Sequence, residues 1–399
     1  MRMKLLTDEK GNLLFVTKAL RVFAYSYISI ILPLYLLRSG YSAFFVGIVV
    51  TVAILSSVFY NVLISKYADY FGRGRSLILL SFMMALSGII FALNINNYFI
   101  MIAAFIGAIS VTGTETGPFL SIEQAALTKF TSAEKRTLMY STYNFIGYTA
   151  MAAGSLFSGL PGFLNNFNLY YLLFYVYAAI ALILAVIYYL LGSNLELDNK
   201  KDVQKPISPE TKKIIIRLSA LFSMDAFGGG FVLQSLLALW FYSRWGLHLS
   251  SLSVLFFVSG IITALSLFLA ARIAKKIGLL NTMVFTHIPS SIFLILIPFS
   301  PTAIGSVIFL FARQSLSQMD VPTRQSYMMA IVKPEERTAV AGLTNIPRSI
   351  AQASSPALSS FMIQVVQYSI PFVAGGSIKI LYDVLIFFTF RRIKPPEEK

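Results

Sequence analysis

Four charged side chains lie deep within long apolar stretches of this chain: Glu115, Asp225, Arg313 and Arg348. A charge at the centre of a hydrocarbon layer costs about 3 kcal/mol or more unless paired or hydrated, so each is a candidate for binding or moving something. A carboxyl in a dry site can take up and release a proton, which makes Glu115 and Asp225 the proton-coupling candidates. The two arginines could hold an anion instead. A permanent structural pairing between the acids and the bases is the alternative for each. The four formal charges cancel, so residue type alone does not choose the charge of a ligand.

The local sequence around these residues weakens helices. Glu115 sits in TGTETGPFLSIEQ, where Gly113, Gly117 and Pro118 free backbone groups for a ligand. Asp225 precedes Gly228, Gly229 and Gly230, three consecutive glycines that should bend or unwind the helix carrying them. With Arg313 and Arg348, these glycines, Tyr143 and Asn144 form the set expected to contact a ligand. For the aromatics, helix packing or interfacial anchoring is the competing use.

A shallower group reads as a gate, with satisfaction of each charge by its own helix neighbours as the alternative: Glu123, Asp320, Arg324 and Arg21. Asp320 and Arg324 are four apart and can pair along one helix face. Arg21 lies deep enough to reach a gate carboxylate, whereas Lys18 can snorkel to the interface. Lys379 and Asp383, also four apart, are expected to pair with each other, and His287 is expected to be structural.

Several chemistries are excluded. There is no cysteine, so neither a disulfide nor a thiolate metal site exists. The two histidines, His248 and His287, have no ligand-like spacing, and neither H-E-x-x-H, G-x-S-x-G nor a Walker motif occurs. The expectation is a protein that is not an enzyme, with no cofactor and no metal.

These residues must be positioned by membrane helices. The chain has 399 residues, 57% hydrophobic and 12% charged, with mean hydropathy +0.74. A water-soluble domain carries about 25% charged residues. The apolar stretches run about 17–28 residues, long enough to cross about 30 Å of hydrocarbon. We expect twelve spans, at 13–37, 43–64, 77–95, 99–128, 138–160, 170–191, 214–239, 250–271, 283–299, 302–330, 338–361 and 368–390. With both termini cytoplasmic, nearly all the basic residues between spans fall inside, and the outer loops hold only Arg38 and Arg244. The net charge of +15 is therefore topological and does not form a nucleic-acid footprint. The start, MRMKLLTDEKGNLLF, lacks a signal-peptide cleavage pattern and is expected to be a cytoplasmic tail.

The stretch Gly192 to Lys213 is the one long polar link and divides the spans six and six. The expected organisation is a bundle at 1–191, a cytoplasmic linker at 192–213 and a bundle at 214–399. An internal repeat supports it. A shift of 201 positions aligns Gln124 with Gln325, Glu134 with Glu335, Arg136 with Arg337 and Asn144 with Asn345, and sets Glu123 against Arg324.

Between the second and third spans lies SKYADYFGRGRSL, with Asp69 three residues before Gly72 and Arg73 and Arg75 just after it. An altered echo, ARIAKKIGLLNT, follows at 271–282, with Gly278 opposite Gly72 and Lys275 opposite Asp69. The first motif resembles the signature of the major facilitator superfamily, roughly G-x-x-x-D-x-x-G-R-[RK]-x-[RK]. It departs with Ser65 at the first glycine and Gly74 at the second basic position. The resemblance extends over essentially the whole chain and implies an all-α membrane protein of twelve transmembrane helices in two pseudo-symmetric six-helix bundles. It also implies that spans 1, 4, 7 and 10 line a central cavity and that Asp69, Gly72, Arg73 and Arg75 form a cytoplasmic latch for the outward-facing state. The fourth span has no arginine of the kind usual in drug/proton antiporters, and their glycine-rich fifth-span motif is only hinted at by Gly147, Gly154 and Gly159.

The expected function is a secondary active transporter working by alternating access, with proton-coupled export of a small organic solute as the leading reading. Uptake or exchange of an organic anion is the alternative, and a non-transporting receptor or scaffold is the alternative of another class. The expected partners are a small-molecule substrate, a proton or other coupling ion and the lipid bilayer, for a monomer in the plasma membrane.

Overall fold

The computed structural model describes residues 9–393, apart from 94–95, 108–109, 114–116, 128–129, 131–135, 197–207, 333–335 and 366, and it is all-helical over them. The first eight helices are α1 (Glu9–Arg38), α2 (Ala43–Phe71), α3 (Arg73–Leu93), α4 (Asn97–Ile106), α5 (Pro118–Leu127), α6 (Arg136–Phe157), the single turn α7 (Leu160–Phe163) and α8 (Asn168–Leu191). The rest are α9 (Pro209–Gly230), α10 (Gln234–Trp245), α11 (Leu249–Ile277), α12 (Leu279–Leu296), α13 (Ala303–Ser317), α14 (Asp320–Ala330), α15 (Arg337–Val365) and α16 (Ile370–Phe390).

Eight stretches among the described residues are long and apolar enough to cross a membrane. The expected spans outside that set are the fourth, fifth, tenth and eleventh, which the 201-position repeat relates as two pairs. Three of these departures have local causes. The fourth was expected as one helix over 99–128 but stops at Ile106 and restarts at Pro118, with Gly113 and Gly117 at φ of 78° and 128° between. Pro118 has no N–H to continue a helix but suits its first turn. The tenth is divided at Gln318–Met319. The eleventh, α15, contains Pro347, Pro356 and Arg348.

The helix after Asp225 also breaks, one step later than the glycines alone suggest: α9 runs through Gly230 and the chain leaves it at 231–233. Two serines of α15 satisfy the carbonyls there, as backbone groups freed in a membrane require. Ser355 donates to the Phe227 carbonyl and Ser359 to the Phe231 carbonyl, each at 2.7 Å.

The motif glycine and its echo share one conformation. Gly72 at φ 96° is the single residue between α2 and α3, and Gly278 at φ 88° joins α11 to α12. Only glycine takes this backbone without strain. Arg73 and Arg75 are therefore in the first turn of α3, and Asp69 belongs to the last turn of α2, its side chain lying outside the described set.

The contact pattern gives two compact units: Met1–Asp202 with Leu237–Gly260, and Val203–Leu236 with Ile261–Lys399. In the first, α1 packs on α6 and α3 on α8 at glycine distance. A Cβ on Gly88 would lie 2.9 Å from the Phe174 carbonyl oxygen, and one on Gly154 would strike that of Phe23. Ser26 of α1 donates to the Met151 carbonyl at 2.7 Å. Small residues and hydroxyls hold helices together where lipid supplies no hydrophobic drive. In the second unit, α9 packs on α15 and α16, and α12 on α13, α14 and α16. Leu218, Met283, Tyr382 and Ile386 are fully buried there.

Candidate functional site

Each unit contains a buried ionic cluster. In the first, Arg21 of α1 meets Glu123 of α5, with NH2 to Oε2 at 2.6 Å and NH1 to Oε1 at 3.0 Å; both side chains are 0% exposed. Removing two charges from all water is tolerable only if every remaining lone pair finds a donor. Here it does. Tyr143 of α6 and Tyr188 of α8 donate to Glu123 at 2.5 and 2.6 Å, and the Thr17 hydroxyl donates to it as well. Arg21 also lies over the Phe119 ring at 5.0 Å. Lys18, one turn earlier on α1, sits over the Tyr143 ring at 4.6 Å. Arg21 thus reaches a carboxylate, Glu123, while Tyr188 had no sequence signal beyond being one of many tyrosines.

In the second unit, Asp225 of α9 receives two cations. Lys379 Nζ donates to Oδ1 at 2.6 Å and Arg324 NH1 to Oδ2 at 3.1 Å. Arg324 also pairs with Asp320 at 3.2 Å, the i,i+4 contact expected from spacing. Lys379 and Asp383 do not pair with each other as expected. Lys379 turns to Asp225, and Asp383 takes His287, whose Nδ1 is 2.9 and 3.0 Å from its two oxygens. His287 Nε2 faces Lys379 Nζ at 3.4 Å and Asp225 Oδ1 at 3.8 Å. The i,i+4 spacing on α16 was correct, but neighbouring helices offer each side chain a closer partner.

Two of the three glycines, Gly228 and Gly230, make this arrangement possible. A Cβ on Gly228 would lie 3.1 Å from Lys379 Cγ and 2.9 Å from the Gly375 carbonyl oxygen. One on Gly230 would meet Gln352 O at 2.5 Å. The lysine stem therefore runs over the glycine turn to reach Asp225, and α9 approaches α15 and α16 to backbone distance.

The other candidates are placed as follows. Arg313 of α13 and Arg348 of α15 are partly exposed and close enough to Asp225 to act on it electrostatically. Arg313 NH1 donates to Gln314 at 2.9 Å, and Arg348 Nε is a buried donor with no partner among the described residues. Tyr143 is committed to Glu123, and its neighbour Asn144 is exposed. Glu115 lies outside the described residues.

At the motif turn, the partner is a residue the sequence did not flag. Glu196, just after α8, accepts the backbone N–H groups of Arg73 and Gly74 at 3.0 and 3.1 Å. It caps the first turn of α3, where a carboxylate is favoured by the unpaired N–H groups and the helix dipole. Glu336 does the same for α9, accepting from Ser208 N and the Thr211 hydroxyl at 2.6 and 2.5 Å. The family model described as Major Facilitator Superfamily matches residues 14–317 and 220–399. The chain belongs to the major facilitator superfamily. It is thus an all-α membrane protein of the fold with twelve transmembrane helices in two six-helix bundles.

The uncharacterized membrane protein YJR124C of Saccharomyces cerevisiae is 26% identical over 418 residues, covering 95% of this chain and 93% of that protein. Among solved structures, a mutant of the nucleoside transporter NupG superposes with a TM-score of 0.76 at 12% identity, covering 96% of this chain and all of the other. A D-xylose-proton symporter gives 0.74 at 14%, with 98% of each chain covered. The human organic anion transporter MFSD10 gives 0.64 at 14%, over 94% of this chain and 98% of that one. At these identities the likeness concerns the fold. The family and fold are those of a transporter and not of an enzyme.

Proposed function

We propose that this member of the superfamily is a secondary active transporter that exports a small organic solute in exchange for protons, by alternating access of two bundles at 1–191 and 214–399 joined by the linker at 192–213. The observation that carries the reading is the Asp225 cluster, a buried network of ionisable groups on α9, α12, α14 and α16 beside a broken helix. A protein with no ion to move gains little by keeping six such groups out of water. Glu115 and Asp225 are the coupling carboxylates in this reading, and Gly228 to Gly230 with Tyr143 and Asn144 belong to the substrate path. Asp69, Gly72, Arg73 and Arg75, together with Glu123, Arg21, Asp320 and Arg324, form the cytoplasmic gate and latch. Both termini are cytoplasmic, and the protein works as a monomer in the plasma membrane.

One observation favours a second reading. Arg313 and Arg348 make no carboxylate contact within hydrogen-bonding range among the described residues, and Arg348 keeps a buried free donor. Two such cations suit an organic anion, taken up or exchanged. Reconstituted protein under an imposed pH gradient, supplied with a panel of neutral, cationic and anionic solutes, tests both. Export coupling requires that Glu115→Gln or Asp225→Asn abolish gradient-driven flux; flux that survives in both variants removes the coupling assignment. The anion reading requires that Arg348→Ala weaken anion binding at least tenfold, measured as a lost thermal shift.

A further inference from the structure

Among the side chains joined by hydrogen bonds or ion pairs, the cluster in the second unit carries one more acid than fixed base. Its hydrogen-bonded members are three carboxylates, Asp225, Asp320 and Asp383, against two fixed cations, Arg324 and Lys379. His287 supplies the missing charge or withholds it. The ionisable groups facing its ring are Asp225 from α9 and Lys379, Tyr382 and Asp383 from α16, with Asp320 of α14 acting on it electrostatically and Arg324 of α14 bonded to both Asp225 and Asp320. From α13 and α15, Arg313 and Arg348 act on Asp225. No group of three His, Cys, Asp or Glu that could hold a metal ion is present among the described residues.

The geometry gives that proton a consequence. In the neutral ring, Nδ1–H donates to Asp383, which fixes the tautomer, and the Nε2 lone pair faces Lys379 Nζ at 3.4 Å. Lys379 can then serve both Nε2 and Asp225 Oδ1. A proton arriving on Nε2 forms one N–H bond, breaks none in the protein and turns the acceptor into a cationic donor. Two cationic donors then stand 3.4 Å apart and compete for one oxygen, Asp225 Oδ1, which is 2.6 Å from Nζ and 3.8 Å from Nε2. The Lys379 stem packs over Gly228 and Gly229, immediately before the break at 231–233, so a lysine displaced from Asp225 also uncovers that turn.

We propose that His287, oriented by Asp383, loads the coupling proton, and that loading it releases Lys379 from Asp225 and loosens the helix at Gly228–Leu233. This rests on the proton-coupled reading above and assigns the proton to α12 and α16, with Asp225 responding to it. Among the described residues the first unit has no counterpart to the switch, since its Arg21–Glu123 pair is neutral and is completed by hydroxyls.

With only two histidines in the chain and His248 exposed, His248→Gln leaves one imidazole to observe. Nitrogen-15 histidine spectra of the full-length protein in nanodiscs should show Nε2 passing from bare to protonated as the pH is lowered from about 9 to 5, with Nδ1 protonated throughout. Asp383→Asn should reduce the protonated fraction in that range about tenfold, because it removes the carboxylate facing the ring. A ring that stays in one state from pH 5 to 9, or that ignores Asp383→Asn, overturns the proposal. Amide exchange over 228–233, corrected for intrinsic rates, should be several-fold faster at low pH in the wild type and pH-independent in His287→Gln; a pH response that persists in that variant also overturns it. Gradient-driven transport that survives His287→Gln removes this site and leaves the coupled reading standing. A titrating His287 in a protein whose transport ignores the gradient removes the coupled reading and the coupling role with it, leaving the proton site.

Discussion

The two units bury the same ion pair with its polarity reversed. The step of 204 positions that takes Phe23 to Phe227 takes Arg21 to Asp225, and the repeat step of 201 takes Glu123 to Arg324. The register is physical: Gly154 packs on the carbonyl of Phe23 and its counterpart Ser355 bonds that of Phe227. The first unit has a cation on α1 and an acid on α5, and the second an acid on α9 and a cation on α14. The completion differs. Around Glu123 the remaining donors are hydroxyls of Thr17, Tyr143 and Tyr188, whose charge does not change. Around Asp225 the completion is Lys379, His287 and Asp383, which adds groups that exchange protons. Duplicated scaffolds can thus keep one half fixed and make the other responsive by changing only what surrounds a shared pair.

Truncation separates the two clusters most sharply. Glu123→Ala takes from the fully buried Arg21 guanidinium the carboxylate that holds both its terminal nitrogens, and should cost about 3–5 kcal/mol in equilibrium unfolding in mixed micelles. Arg21→Met with Glu123→Leu should recover most of that loss, because the buried charge goes with its partner. Asp225→Ala should cost less, about 1–3 kcal/mol, since Arg324 keeps Asp320 at 3.2 Å and Lys379 keeps His287. Equal losses would mean that the second cluster is held as rigidly as the first.

The glycine turn offers a finer comparison within one helix. A Cβ on Gly228 meets the Gly375 carbonyl oxygen at 2.9 Å and Lys379 Cγ at 3.1 Å, so Gly228→Ala should cost about 1–3 kcal/mol through overpacking. A Cβ on Gly229 lies 3.6 Å from Lys379 Cε and Nζ, ordinary contact. Gly229→Ala should therefore be neutral or stabilise by about 0.5–1 kcal/mol, the helix penalty of glycine removed. The same unfolding measurement checks both, and a loss at Gly229 would place Lys379 closer to the helix than it stands.

These contrasts mark how far the residues could be read without coordinates. The opposition of Glu123 and Arg324 is visible in the repeat, because duplication preserves register through a whole helix-turn-helix. Gly72 and Gly278 are legible because one backbone conformation demands one residue type. Lys379, Asp383 and His287 were not legible as a network. Spacing along α16 fixes which residues share its face, but the choice of partner is made by α12, with His287, and by α9, where Gly228 clears a path for the lysine. Glu196 escaped for a related reason: its value comes from two backbone N–H groups 122 and 123 residues away, and backbone donors leave no trace in residue type. The interruption of the fourth span was foreshadowed by Gly113, Gly117 and Pro118, although its length was not.

The smallest predicted loss tests whether the motif turn is tied to the linker. Glu196 accepts from Arg73 N and Gly74 N, and a Cβ on Gly72 would come within 3.1 Å of its Oε1, so the turn, the cap and the start of the linker form one contact. Glu196→Ala should cost about 0.5–2 kcal/mol, in the range of a lost helix cap, and should speed amide exchange at Arg73 and Gly74. Glu196→Gln keeps an acceptor oxygen but loses the charge that the helix start favours, and should fall between the two. In the second unit, Glu336→Ala should act on α9 instead, freeing Ser208 N and the Thr211 hydroxyl. If Glu196→Ala leaves exchange at Arg73 and Gly74 unchanged while Glu336→Ala quickens it at Ser208 and Thr211, only the second unit uses its acidic cap to hold a helix start. The turn at Gly72 is then held by its own backbone and the arginines alone.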